Sequence, residues 1–347
     1  MPPEGHDDGP ERVPPELAVW LADRAGTGRV ARLEPLTGGN SNVTYRVVAE
    51  SGTFVLRHPP VHALSKSSHS MEREHRVLSA LEGTGVPVPS VVAMCTDPAV
   101  FGAPFLVMDE VAGVPLTDSL PAGYGPGAAV GLGHEMVDVL AQLHGIDVDQ
   151  VGLSTFGRGE GFLERQVERW RSQYRSYAVR DLPAFEAVAM WLGRNRPEEQ
   201  RRGILHGDFH IDNCLWATDG PRLLAVIDWE LSTIGDPLLD LGLCLALWGD
   251  RPVPTPALAR IQAVSRVSGS PNAHDLAERY SQRSGRPVDD LAYYLTLALW
   301  KLAAILEGAY AQHVVGHLDS DYARGLRSDV PLLLEEAASH AGVTVRR

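Results

Sequence analysis

In the first third of the chain, apolar residues alternate with polar ones. The run from Asn42 to Val48, with Val43, Tyr45 and Val47 in step, reads as a strand, and so does Thr53 to Arg57. Glu50-Ser51-Gly52 between them reads as a turn. His69 to Leu81 has helical spacing, and Phe105 to Met108 reads as a short buried strand. After Asp109 the pattern turns helical. Helices are predicted over Gly127–His144, Phe162–Val179, Ala184–Leu192, Pro256–Val267 and Leu291–His313, with a last one near the C-terminus. Leu205 to Asp228 is the exception, a region of loops and short strands. The expected division is a disordered tail over 1–15, a β-rich N-terminal lobe over 16–109 and a helical lobe over 110–347. The fold class is therefore α+β.

Composition narrows the partners more than the fold. The 347 residues can bury a large core, and 44% hydrophobic with 22% charged residues is ordinary for a globular protein. A net charge of −13 argues against nucleic acid or an anionic membrane as partner. Cys95, Cys214 and Cys244 are odd in number and far apart, with no disulfide or zinc spacing, which fits a reducing, cytoplasmic setting. Met1 to Pro15 is acidic and Pro-rich without an apolar stretch, so it does not read as a signal peptide. The most apolar helical stretch, Tyr293 to Leu306, is interrupted by Lys301 and is too short to span a bilayer. No obligate protein partner is evident. Lys66 and Lys301 are the only lysines, as a GC-rich coding sequence would give.

The densest chemistry lies in His206-Gly207-Asp208-Phe209-His210-Ile211-Asp212-Asn213, followed by Val226-Ile227-Asp228-Trp229-Glu230. Phosphoryl transfer from ATP needs such groups: one carboxylate for the acceptor hydroxyl, and an amide with a second carboxylate to hold Mg2+. The five-residue step from Asp208 to Asn213 matches the catalytic loop of protein kinases, and Asp228 matches their metal-binding Asp.

With Gly207 after the His, the stretch resembles the aminoglycoside phosphotransferase-like kinases of small molecules. Leu36 to Tyr45, His58-Pro59-Pro60 and Met71-Glu72-Arg73-Glu74 look like the branch that includes the kinase-like domain fused to some acyl-CoA dehydrogenases. The resemblance covers roughly Leu33 to Gly242. It implies a two-lobed protein-kinase-like fold, ATP and Mg2+ as cofactors, and a small-molecule hydroxyl acceptor, aminoglycoside-like or a hydroxyacyl or other hydroxylated metabolite. In that frame Asp208 is the base or hydroxyl-orienting group, and Asn213 and Asp228 are the metal ligands. His206 and Asp240 brace the loop, and Asp236 before Pro237 is a turn residue. His210 stands where relatives often carry a cation. It either contacts the γ-phosphate, with turnover falling as pH rises through its pKa, or is a loop histidine without that role.

For the nucleotide, Gly38, Gly39, Ser41 and Asn42 lie between two strand candidates, where backbone amides can approach phosphates; a plain hairpin turn is the alternative. Arg57 takes the place of the usual strand Lys, with Lys66 in the following loop the weaker substitute. Glu74 is its expected partner, because Val77, Leu78 and Leu81 share its helix face while Glu72 is rotated away. Backbone groups near Glu110 and Val111 would read the adenine edge.

On the acceptor side, Arg165, Arg169, Trp170, Tyr174 and Tyr177 share a predicted helix, and Trp300, Lys301 and Glu307 a later one. They suit an anionic or acyl-carrying acceptor, but an amphipathic helix with aromatics in the core and arginines in water is the simpler account. Two rival functions remain at this stage. One is a degenerate kinase-like module that binds nucleotide without catalysis. The other is a metallohydrolase with His206, Asp208 and His210 as ligands, which leaves Asn213 and Asp228 unexplained.

Overall fold

The computed structural model describes residues 13–36, 42–59, 71–158, 161–198, 202–251 and 255–344. They fall into two compact units, one from Met1–Ala112 with Ala225–Leu231, the other from Gly113–Leu224 with Ser232–Arg347.

The first unit contains α1 (Pro15–Arg24), β1 (Val30–Pro35), β2 (Val43–Ala49), β3 (Gly52–His58), α2 (Met71–Leu81), β4 (Val91–Cys95), α3 (Pro98–Phe101) and β5 (Phe105–Asp109). Among the described residues its strands form an antiparallel sheet in the order β1-β2-β3-β5-β4. The β2–β3 hairpin closes at Glu50 and Ser51, since Ala49 pairs with Gly52. Gly52 at φ +146° makes the turn possible there, a value side chains resist. Alternation places Tyr45, Val47, Leu56, Phe105 and Val107 in one core with Leu17 and Leu21 of α1. Helix α2 buries Met71, Glu74, Val77, Leu78 and Leu81, so the stripe read from the sequence is its inward face. Only residues 1–12 of the expected tail lie outside the described residues, because α1 begins at Pro15.

The second unit contains β6 (Val114–Pro115), α4 (Ala128–Gly145), α5 (Phe162–Tyr177), α6 (Pro183–Arg194), β7 (Gly203–Leu205), β8 (Cys214–Trp216), β9 (Leu223–Val226, whose end passes into the first unit), β10 (Thr233–Gly235), α7 (Leu238–Ala246), α8 (Ala273–Ser284), α9 (Leu291–Val314) and α10 (Asp321–Ala341). Helix α9 is its axis, packed on α5, α6, α7 and α10. At 24 residues α9 is longer than the stretch read from the sequence, and by length and composition alone it could cross a membrane. Most of it is instead buried within the unit, including Tyr294, Leu297, Trp300 and Ala304.

One expected helix does not form. Pro256–Val267 is two short 3-10 turns, Pro256–Leu258 and Ala263–Arg266, with Gln262 at φ +50° between them. A left-handed residue cannot continue a right-handed helix.

Helices α7 and α9 approach backbone to backbone at Gly242, where an added Cβ would lie 2.7 Å from the carbonyl oxygen of Tyr294. Gly242→Ala must therefore push the two helices apart. The expected cost is about 1–3 kcal/mol, read as a lower denaturation midpoint, and an unchanged midpoint would refute the contact.

Candidate active site

Two clusters carry the chemistry, one in each unit. In the second unit, β7 pairs with β10 and delivers the chain into His206, while β10 leads through Asp236 into α7. Asp240 in the first turn of α7 accepts the backbone N–H of His206 at 2.6 Å and of Gly207 at 2.9 Å. His144 stands behind it, with Nε2 3.6 Å from the Asp240 carboxylate. Burial lowers the His144 pKa, so the ring is neutral there. His206 is fully buried and its Nδ1 accepts the Asp208 N–H at 3.2 Å. Asp236 is also buried; it accepts the Leu238 N–H at 3.1 Å and the Tyr294 hydroxyl at 2.8 Å.

The loop turns through a single 3-10 stretch, Ile211–Asn213. This turn brings Asn213 back onto Asp208: its Nδ2 donates to the Asp208 carbonyl at 2.9 Å and to Oδ2 at 3.2 Å. His210 completes the group, with Nε2 3.5 Å from Asp208 Oδ2 and Nδ1 3.2 Å from Asp212 Oδ2. Burial alone would depress the imidazole, but the Asp208 and Asp212 carboxylates push its pKa up to about 9. His210 therefore carries its charge at neutral pH rather than titrating near 6.5. Burial opposes the charge on Asp208 in turn, yet His210 beside it brings that carboxyl down to about 2.

In the first unit, Arg57 on β3 reaches two carboxylates. One guanidinium nitrogen donates to Glu74 of α2, and another to Asp228 Oδ1 at 2.8 Å. Glu74 is almost fully buried. That burial drives its pKa up to about 7 against the pull of Arg57, with Asp228 and Glu230 adding to the rise. Asn42 donates Nδ2 to Glu230 Oε2 at 2.9 Å. Asp228 itself sits at φ +68°, a strained value of the kind that gathers at functional sites. Glu110 follows β5 directly, with its carboxylate on Arg46 at 2.7 Å, and Val111 comes next. Gly38, Gly39 and Ser41, and Lys66 with them, lie outside the described residues.

Each cluster, taken by itself, offers oxygen donors of the kind a hard cation takes. One arginine faces Glu74 and Asp228, with Glu230 near enough to act on it, so acid is in surplus. Arg57 holds only Oδ1 of Asp228. In the second unit, Asn213 turns its NH2 onto Asp208, which leaves its oxygen end for a ligand. Among the described residues no three or more His, Cys, Asp or Glu cluster as a metal cage. His206 is committed to the loop backbone, which weighs against the hydrolase reading.

The acceptor-side residues divide. Trp300 is core, donating to the Phe185 carbonyl, and Tyr174 stacks on Phe185 at 3.8 Å. Tyr177 donates to the Ala304 carbonyl, Arg165 to the Arg158 carbonyl, and Glu307 is a buried partner of Arg180. Lys301 is different. Its Nζ donates to the Gly207 carbonyl at 3.2 Å and lies 5.6 Å from the Trp170 ring, while the exposed Arg169 guanidinium lies 5.5 Å from the same ring. Gln262, absent from the sequence reading, also touches the loop, bonding to Ile211 and Asp212.

Residues 32–279 match the model of the phosphotransferase enzyme family. The chain belongs to that family. Acyl-CoA dehydrogenase family member 10 of Mus musculus is 34% identical over 88% of this chain, which spans only 29% of that protein's length. The branch resemblance is thus borne out. Among solved structures, a Ralstonia eutropha protein provisionally assigned as an aminoglycoside phosphotransferase is 31% identical, with TM-score 0.82 over 94% of this chain and 97% of its own. Spectinomycin phosphotransferase, solved with ADP and spectinomycin, shares the fold at 13% identity and TM-score 0.62, over 94% of this chain and 97% of its own. This chain therefore has the two-lobed α+β fold of its phosphotransferase relatives.

Glu74 generates a stability prediction. Its folded pKa of about 7 lies above the ordinary 4.5, so its contribution is full below 4.5 and is lost as pH rises through 7. Glu74→Gln should flatten the fall in melting temperature between pH 5 and pH 8. Parallel melting curves for wild type and variant across that range would contradict the shift.

Proposed function

We propose that this protein is an ATP- and Mg2+-dependent O-phosphotransferase that moves the γ-phosphate to a hydroxyl of a small molecule. The observation that carries the reading is the Asp208–His210–Asn213 cluster on a loop anchored by Asp240. Asp208 orients the acceptor hydroxyl. With its carboxyl near 2 it is a weak base, which suits a loose transition state in which little proton transfer precedes bond breaking. His210, charged at neutral pH, offsets negative charge on the transferring group. Asn213 and Asp228 supply oxygens for Mg2+, which when bound neutralises charge on the β- and γ-phosphates. Arg57, braced by Glu74, holds phosphate oxygens with a permanent charge, and Asn42 with Gly38, Gly39 and Ser41 covers them. Backbone groups at Glu110 and Val111 take the adenine edge.

For the acceptor, Lys301 and Arg169 beside Trp170 favour a hydroxylated molecule that also carries an anionic or acyl group over a polycation such as an aminoglycoside. The names of the related acyl-CoA dehydrogenase family proteins point the same way. A cytoplasmic setting with free, buried cysteines belongs to the same reading. A module that binds nucleotide without transfer is the second reading, favoured by one observation: the Arg57 fork is already engaged by Glu74 and Asp228.

The test is Mg2+-dependent ATP consumption against aminoglycosides, amino alcohols, sugars and hydroxyacyl-CoA thioesters. Asp208→Ala should lower acceptor-dependent turnover by about 100- to 10,000-fold. Undiminished turnover in that variant would refute the assignment, and ATP binding with no turnover on any acceptor would select the binding module. His210→Ala should lose about 10- to 100-fold in kcat, whereas His210→Arg, which keeps the charge, should retain most of it. Equal loss in both would rule out a charge role.

A further inference from the structure

Among the described residues, two non-glycine residues adopt left-handed backbone. One is Asp228 and the other is Gln262, at φ +50°. Gln262 is also completely buried. A glutamine held this way has no intrinsic reason to be there, since glycine or asparagine accepts the conformation more readily. Its polar atoms explain the placement. Oε1 accepts the Ile211 N–H at 3.1 Å, and Nε2 donates to the Cys244 carbonyl on α7 at 2.8 Å. The backbone N–H donates to Asp212 Oδ2 at 2.9 Å, and the carbonyl accepts the Ser265 hydroxyl at 2.6 Å. Ser265 in turn accepts the Gly249 N–H at 2.8 Å.

These bonds meet a specific need. The 3-10 turn Ile211–Asn213 has no side-chain cap of its own at His210. Its first N–H would be a buried orphan unless a distant residue supplied an acceptor. Gln262, 51 positions away, supplies it, and its backbone fixes the Asp212 carboxylate that faces His210. The turn is what folds Asn213 back onto Asp208. Asp240 holds the entrance of the loop by the amides of His206 and Gly207, and Gln262 holds its exit.

We infer that Gln262 is a positioning residue for phosphoryl transfer: its buried side chain locks the Ile211–Asn213 turn, and through the turn sets the mutual geometry of Asp208 and Asn213. This inference rests on the phosphotransferase reading. It predicts an effect on turnover and little effect on nucleotide affinity, because displacement of reacting groups by about 1 Å costs as much as 100-fold in rate.

The experiment compares the wild-type chain with Gln262→Gly and Gln262→Glu. Glycine accepts φ +50° without strain and removes the clamp but not the backbone path. Glutamate keeps an acceptor for Ile211 and loses the donor to Cys244. Three quantities are read: kcat and KM for ATP, the melting temperature, and amide exchange of the 206–216 segment. Gln262→Gly should lower kcat by about 10- to 100-fold with KM for ATP within about twofold and faster exchange confined to 206–216. Gln262→Glu should recover part of the loss. Wild-type kcat in Gln262→Gly, or unchanged exchange at Ile211, would overturn the inference. So would activity losses that simply follow the melting temperature through both variants. A wild type without turnover on any acceptor would instead refute the phosphotransferase reading, while exchange at Ile211 would still decide whether the clamp exists.

Discussion

A sharply bent loop cannot satisfy all of its own backbone, and the second unit is organised around that constraint. The stretch from His206 to Asn213 is too short and too bent for a helix or a sheet to pair its amides. Three of those amides instead reach polar groups far away in sequence: His206 and Gly207 donate to Asp240, and Ile211 donates to Gln262. A buried carboxylate that accepts two N–H groups is a strong anchor, because charge-assisted bonds are shorter and stronger than neutral ones. The surroundings follow from it. His144 stays neutral beside Asp240, Tyr280 bonds to His144 Nδ1 at 2.8 Å, and α7 must lie where its first turn meets the loop. Gly242 lets α9 come close enough to hold α7 there.

The first unit obeys a different electrostatic rule. Glu74 is buried with one arginine as its main partner, and burial outweighs that partner enough to move the carboxyl towards neutral pH. A buried pair of this kind is weak support for stability, since desolvation offsets attraction. It is better explained as preorganisation. The arginine is held in one place with its charge intact, and Asp228 is held beside it in a strained backbone conformation.

What the sequence made legible was local. Asp208 and Asn213 could be paired from their five-residue spacing, because a single turn brings them together. Arg57 and Glu74 could be paired because Arg57 stands on the strand where kinases carry their Lys, and helical spacing puts Glu74 on the inward face of the next helix. Other features left no such trace. Helix α7 is buried on all sides, so it carries no polar stripe from which to read a 3.6-residue period. Helix α8 did carry signals, an Asn272 cap that accepts the Asp275 N–H and Gly285 in left-handed conformation, but a polar surface helix between Pro-rich loops is easily passed over. Pro256–Val267 reads as helical in its pattern, while the left-handed Gln262 is held by bonds to Ile211, Asp212 and Cys244 that the local sequence does not announce. The acceptor-side helices show the limit of face arguments. Trp300, Tyr174 and Glu307 share a pattern with Lys301 and Trp170, and packing alone tells which of them serve the core.

Lys301 gains meaning from the chain's bias against lysine. Nearly every other basic position is arginine, so coding bias alone gives no reason for a lysine in the middle of α9. Its surroundings are specific: the ammonium lies 3.2 Å from the Gly207 carbonyl and 5.6 Å from the Trp170 ring. Burial lowers its pKa, while Asp208 and Asp240 work to keep it charged. One of its three donors is used on Gly207, so the head group has hydrogen-bonding capacity beyond the loop. The ammonium thus has an aromatic face and the exposed Arg169 guanidinium for neighbours, so the surroundings of the loop are basic and aromatic although the chain as a whole is acidic.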